Sequence, residues 1–161
     1  LGLRPQAELV GYAPSTDGYH MATPSAERIE QCVSQSLRNA SLMPGAIDYY
    51  NAHGTSTTVN DQVETAVVKT VFGEHAARLP VSSIKGALGH GLGAAAAIEI
   101  AACVRALRDQ LIPPTINYLA DPELDLDYVP NEARSASLSR IMTASFGFGG
   151  TNNVIILKRA E

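Results

Sequence analysis

Two imidazoles and an ammonium, each set among glycines or hydroxyls, are the groups in this sequence best suited to chemistry. Lys85 and His90 lie five positions apart in VSSIKGALGHGLGAAAAIE, residues 81–99, with Gly86, Gly89, Gly91 and Gly93 around them. His53 stands in NAHGTSTT, just ahead of Thr55 and Thr57. A further glycine cluster, FGFGGTN, occupies 146–152. Glycines gather where the backbone takes positive φ or passes close to another group. Imidazole, ammonium and backbone N–H groups are donors and proton carriers. They suit a site where negative charge develops on oxygen, as on a thioester oxyanion or an enolate, and one preorganised donor there changes a rate by roughly 10²–10³. Thr55 and Thr57 offer hydroxyls to a flexible polar substrate arm near His53. The plainer reading of 81–99 is a glycine-rich strand-to-helix turn with a solvated lysine.

Several other chemistries find no support. His53, His90, Asp61 and Glu64 match no metal signature such as H-E-x-x-H, so no metal is expected. A serine hydrolase needs a G-x-S-x-G elbow, which is absent. GFGGTN fits neither the Walker pattern nor G-x-G-x-x-G. A formal net charge of −4 and the lack of a basic run argue against a nucleic-acid partner. The alanine-rich stretch after His90 carries Glu99 and Arg105, so it is no membrane span. Cys32 and Cys103 have neither metal nor disulfide spacing, and reduced thiols in a cytoplasmic protein are the default. Both fall in helical patterns and read as core thiols. With 161 residues, 45% of them hydrophobic, the chain is one domain with its own core. It begins at Leu1 rather than methionine, which reads as a piece of something longer.

The elements that must position these groups follow from pattern. Residues 8–13 read as a strand and 15–27 as a loop. Ile29, Val33 and Leu37 recur at helical spacing, which predicts a helix over 26–40, stopped by Pro44-Gly45. A strand at 47–52 delivers His53. A helix over 60–72 carries Asp61 and Glu64 in its first turn, where carboxylates suit the positive end of the dipole. Residues 79–83 form the next strand, followed by the Lys85–His90 loop held open by its glycines. A helix over 92–108 is apolar nearly all round, the pattern of an enclosed helix. Paired prolines make 111–117 extended. The stretch 120–133 reads as a loop with one short strand near 126–129. The strands 140–145 and 153–158, joined by 146–152, read as a hairpin. Strand–helix alternation predicts an α/β fold, its sheet mostly parallel with helices on both faces and a C-terminal antiparallel hairpin. In such sheets functional groups gather at the carboxyl ends of strands. Three strand ends therefore bring His53, the Lys85–His90 loop and the 146–152 tip together.

At this point the chain resembles a known family. NAHGTST, VSSIKGALGHGLGAAAAIE and SFGFGGTN resemble, in order, three motifs of the β-ketoacyl-acyl carrier protein synthases, the elongating condensing enzymes of the thiolase superfamily. ELVGYAPSTDGYHMATPS resembles the family's lead-in, and ALRDQLIPPTINY with LDLDYVPNEAR its later connector, so the likeness covers essentially the whole chain. The resemblance implies a thiolase-like half-fold over 1–161 and a decarboxylative Claisen condensation. It implies that His53 and His90 bind the malonyl thioester carbonyl and assist decarboxylation, and that Lys85 supports the histidine geometry. Phe148 matches the phenylalanine that gates the acyl pocket and lends its N–H to the oxyanion hole. Thr55 and Thr57 match threonines that hold the pantetheine arm, and Glu99 and Asp61 match structural or supporting acids. The implied partners are acyl carrier protein, an N-terminal half of the synthase and a second copy in a homodimer. No cofactor is implied beyond the carrier's phosphopantetheine.

The departures are instructive. The family's nucleophilic cysteine motif, which belongs to the first half, has no counterpart here, so the chain resembles a C-terminal half with an incomplete site. Ala144 stands where many bacterial members have Asn, and Thr58 where Pro is common. Retention of both histidines argues against the histidine-poor relatives that act as chain-length partners. Three readings remain open: a discrete fatty-acid-type synthase, a polyketide ketosynthase, and a non-catalytic module that binds a carrier protein or a partner half. The NAHGTST and FGFGG style leans toward the first.

Overall fold

The computed structural model describes residues 2 and 4–160. The first element is a ten-residue strand, β1 (Ala7–Thr16), longer than its sequence pattern suggests. Helix α1 (Ala26–Asn39) starts where the Ser25 hydroxyl accepts the Arg28 N–H, and it buries Ile29, Cys32, Val33 and Leu37. Strand β2 (Tyr49–Asn51) and helix α2 (Thr58–Phe72) follow. Next come β3 (Val81–Ser82), a single helical turn α3 (Lys85–Leu88) and helix α4 (Ala95–Asp109). Strands β4 (Leu111–Ile112) and β5 (Arg134–Ser135) pair with each other. The chain closes with β6 (Arg140–Gly147) and β7 (Thr151–Arg159).

The main sheet has the order β1-β7-β6-β2-β3. Strand β2 runs parallel to β6 on one side and β3 on the other. Strand β7 is antiparallel to both β6 and β1. The α/β class and the C-terminal antiparallel hairpin are therefore as expected. The parallel part is confined to β6–β2–β3, because β1 pairs with the last strand. Alternation along a strand fixes which face a residue takes, but not the direction of its neighbour.

Helices do cover both faces. Helices α1 and α2 pack Ile29, Val33, Val67 and Phe72 onto Tyr50, Met142 and Ile156. Helix α4 packs Cys103, Ala106 and Leu107 onto Tyr49, Ile141 and Leu157 on the opposite side. Adjacent Tyr49 and Tyr50 thus enter different cores, as the two-residue period of a strand requires.

Three expectations are corrected. Helix α4 is not enclosed: Ile98 is 40% exposed, and Ala97 and Ala101 also face solvent, because the sheet covers only one of its sides. Residues 126–129 form no strand; Asp127 makes one isolated bridge with Pro80, and Val129 turns into the left-handed region at φ 46°. The Lys85–His90 segment is not an open loop, since its first four residues are helical, and of its glycines only Gly89 takes positive φ. Strand β5 has no counterpart in the sequence reading, being too short to show a period.

Gly11 lets α1 lie directly on β1. A Cβ there would sit 2.8 Å from the Ser36 carbonyl oxygen and 2.9 Å from Ala40 Cβ. Gly11→Ala is expected to destabilise the fold by about 1–3 kcal/mol through overpacking. Gly45→Ala, where an added Cβ meets nothing within 4 Å, is the control and should change little. Denaturant midpoints of the two variants check this.

Candidate active site

Because β6, β2 and β3 are mutually parallel, their carboxyl ends share one edge of the sheet. His53 follows β2, Lys85 follows β3, and Ser145 and Phe146 lie at the end of β6. The structure brings these together with His90. The His53 and His90 rings meet edge to face with centroids 5.6 Å apart, and Phe146 packs on His53 at 5.3 Å. His53 is only 7% exposed. Its Nδ1 has no hydrogen-bond partner among the described residues. Burial, with help from the charges of Lys85 and His90, pushes the His53 pKa down to about 3, so the imidazole is neutral at neutral pH. His90 is exposed, and its Nδ1 accepts the Leu92 N–H at 3.1 Å. A neutral His90 therefore carries its proton on Nε2, facing away from that bond.

Lys85 reaches both the His53 carbonyl and Glu99 Oε1. The Lys85 and Glu99 side chains are both buried, and Glu99 Oε2 accepts the Ser145 hydroxyl at 2.8 Å. A chain of contacts thus runs from β6 through α4 and α3 to the backbone of His53. The carboxylate in the alanine-rich helix is thus paired and hydrogen-bonded, as a buried charge must be.

Glu64 holds the same backbone from the other side. Its two oxygens accept the N–H groups of His53 and Gly54, each at 2.9 Å, and it also takes the Tyr50 hydroxyl and the Asn60 amide. Burial raises its pKa while these four donors oppose the rise. The sequence reading put Glu64 in the first turn of its helix beside Asp61. Helix α2 begins two residues earlier, at Thr58, and Glu64 turns inward. The signal was present: Glu64 lies three and four positions before Val67 and Val68, on the apolar stripe itself. Nothing in the spacing of Phe146 distinguishes it from Phe148, two residues on. Phe148 stands at the hairpin tip, 80% exposed, and is not the ring packed on His53.

Thr55 and Thr57 bond each other at 3.0 Å. Thr57 occupies the N-cap position of α2 without capping it, so both hydroxyls stay at the mouth of the loop. Asp61 accepts from Asn60 at 3.0 Å, and burial raises its pKa. It lines a cleft of ≈ 560 Å³ with Thr57, Ser83, Thr115 and Tyr128, a cleft that neither imidazole lines. Cys32 and Cys103 are both buried, and burial raises both thiol pKa values, which disfavours the thiolate. Cys32 donates to the Ala13 carbonyl as a core residue does. No described helix is long and apolar enough to cross a membrane.

Comparison with known proteins now bears on this geometry. The profile of the beta-ketoacyl synthase C-terminal domain matches residues 6–119. The chain belongs to the beta-ketoacyl synthase family. It is 49% identical over 157 residues to a 3-oxoacyl-[acyl-carrier-protein] synthase 2 of Coxiella burnetii, covering 95% of this chain and 38% of that protein. It is 45% identical over 154 residues to nodulation protein E of Rhizobium leguminosarum bv. trifolii, with coverage of 95% and 38%. Among solved structures, a ketosynthase in complex with its type II PKS acyl-carrier protein superposes with a TM-score of 0.92 at 39% identity, over 96% of this chain and 39% of that one. The ishigamide ketosynthase/chain length factor superposes with a TM-score of 0.95 at 37% identity, over 99% and 40%. The chain therefore spans about two-fifths of the length of the relatives it matches.

The depressed His53 pKa has a consequence for stability. Above pH 6.5 the imidazole is neutral in the folded and unfolded chain alike. Below it the unfolded chain takes up a proton that the folded site refuses, so stability falls as pH drops from 6.5 toward about 3. NMR titration should show the His53 ring protonating near pH 3, and His53→Phe should remove this part of the acid sensitivity. A titration of the wild-type ring near 6.5 would contradict the burial argument.

Proposed function

We propose that the chain is the malonyl-handling part of a 3-oxoacyl-acyl carrier protein synthase, catalysing decarboxylative Claisen condensation. The observation that carries this reading is the His53–His90 pair, one ring buried and neutral with an unpartnered nitrogen, the other exposed at 5.6 Å. A malonyl thioester loses its carboxylate as carbon dioxide, and the electrons of the broken C–C bond pass to an enolate. The enolate oxygen takes hydrogen bonds from the two imidazoles. A neutral His53 offers one N–H without competing for the substrate's carboxylate, and His90 offers Nε2–H. The enolate carbon then attacks an acyl thioester held on a cysteine. The C–S bond breaks, the thiolate returns to the cysteine, and a 3-oxoacyl thioester remains on the carrier.

In this reading Lys85 fixes His53 through its carbonyl, and Glu99 and Asp61 play supporting parts. Thr55 and Thr57 hold the pantetheine arm at the mouth. Phe148, exposed on its glycine-flanked tip, gates the acyl pocket and contributes its N–H to the oxyanion hole. Cys32 and Cys103 are unsuited to attack, since burial disfavours both thiolates, so the nucleophile comes from outside this chain. The chain alone is an incomplete site. Its partners are acyl carrier protein, the nucleophile-bearing half and, in the whole enzyme, a second copy. It needs no cofactor of its own and works in the cytoplasm. The 49%-identical 3-oxoacyl synthase supports this reading; a polyketide ketosynthase is the second, supported by a polyketide beta-ketoacyl synthase of Streptomyces halstedii at 47% identity and by the solved type II PKS neighbour.

The test is to supply the native polypeptide with malonyl- and acyl-carrier protein and follow carbon dioxide, product and intact mass. The acyl group is expected on a cysteine other than Cys32 and Cys103, and His53→Ala should slow decarboxylation by about 10²–10³. Acylation of Cys32 or Cys103 would overturn the reading. So would decarboxylation unchanged by His53→Ala. A polypeptide that neither acylates nor decarboxylates would be a non-catalytic module.

A further inference from the structure

We infer that Ser83 is a positioning residue for His53, the uncharged partner of Lys85 in a clamp on the His53–Gly54 backbone. The inference rests on the role proposed above for His53. The His53 Nδ1 has no partner among the described residues, so no hydrogen bond at that nitrogen orients the imidazole. Its place is set by the Phe146 and His90 rings and by the backbone that carries it.

That backbone is held at every polar group of two successive residues, each time by a side chain. Glu64 accepts the N–H of His53 and of Gly54. Lys85 Nζ donates to the His53 carbonyl. The remaining group, the Gly54 carbonyl, takes the Ser83 hydroxyl at 2.7 Å. A serine hydroxyl has one proton, and here it is committed to Gly54. Its lone pair then accepts the Lys85 N–H at 3.3 Å, so one atom ties the His53 loop to the start of α3. The Ser83 N–H in turn donates to Thr115 Oγ1 at 3.1 Å, which anchors the clamp to the chain beyond β4.

Sterics make the contact specific. Gly54 takes φ +42°, and a Cβ placed on it would lie 2.5 Å from Ser83 Cβ and 2.9 Å from its Oγ. So close an approach needs glycine at 54 and a small side chain at 83. Ser83 is itself buried. Replacing its hydroxyl leaves the Gly54 carbonyl and the Lys85 N–H unpaired together. The peptide bearing His53 and the turn bearing Lys85 then lose their shared reference. A shift of about 1 Å in such a group costs on the order of 10²-fold in rate.

The variant is Ser83→Ala, made in the native polypeptide. Turnover in malonyl-thioester decarboxylation should fall about 10–100-fold with KM nearly unchanged, because the loss is in placement rather than binding. Amide hydrogen exchange at His53 and Gly54 should speed by about tenfold, as expected of a local opening. A merely structural serine would lower the melting temperature and leave turnover per folded site intact. Turnover within about twofold of wild type would overturn the inference and leave the proposed function standing. A wild type without decarboxylase activity would sink the proposed function instead, and the exchange rates would then decide: unchanged rates at His53 and Gly54 overturn the clamp, faster rates support it. Should Ser83→Ala not fold, Ser83→Cys, whose thiol donates only weakly, is read in the same way.

Discussion

The site depends on the buried ion pair of Lys85 with Glu99. Two charges out of water are costly, and the cost is offset only when they pair and their remaining bonding capacity is met. Here Glu99 spends its second oxygen on Ser145, and Lys85 spends a second proton on the His53 carbonyl. The pair therefore fastens the ends of three parallel strands to helix α4. It also sets a positive charge behind His53, which adds to the burial that keeps that imidazole neutral. One interaction thus contributes both to the position of the ring and, after burial, to its neutral state.

Glu64 complements it from the opposite core. It is a buried carboxylate whose donors include two backbone N–H groups, and it belongs to α2 on the far face of the sheet from α4. The loop carrying His53 is thus stretched between helices on both faces. This explains why so short a strand as β2 positions the loop well. The strand ladder need only place the loop roughly, and the side chains from either layer define it. The two tyrosines of β2 serve the same division. Tyr50 bonds Glu64, while Tyr49 bonds Ser82, one residue before the serine of the clamp.

The same construction leaves one side open. His90, Leu88, Leu92 and Ile98 are exposed together with the outer face of α4, and Phe148 stands free at its tip. The thiols present are core residues whose burial disfavours ionisation.

Local chemistry made much of this legible in the sequence. Helices α1 and α2 showed in their apolar spacing and α4 in its alanine-rich run, and His53, Lys85 and His90 stood out by type and by the turns they occupy. Glu99 could be read as a paired carboxylate because an acid in an alanine-rich helix needs a partner. The sequence by itself therefore determined which residues are available and that they follow strand ends. Only the tertiary structure decided that Phe146 rather than Phe148 packs on His53, that Glu64 turns inward, that Ser83 reaches Gly54, and that β1 pairs with β7. Each of these is a contact between segments far apart in the chain. A residue's own spacing records which face it takes, whereas the group it meets there depends on how the sheet orders its strands, and that order is settled by packing of the whole domain.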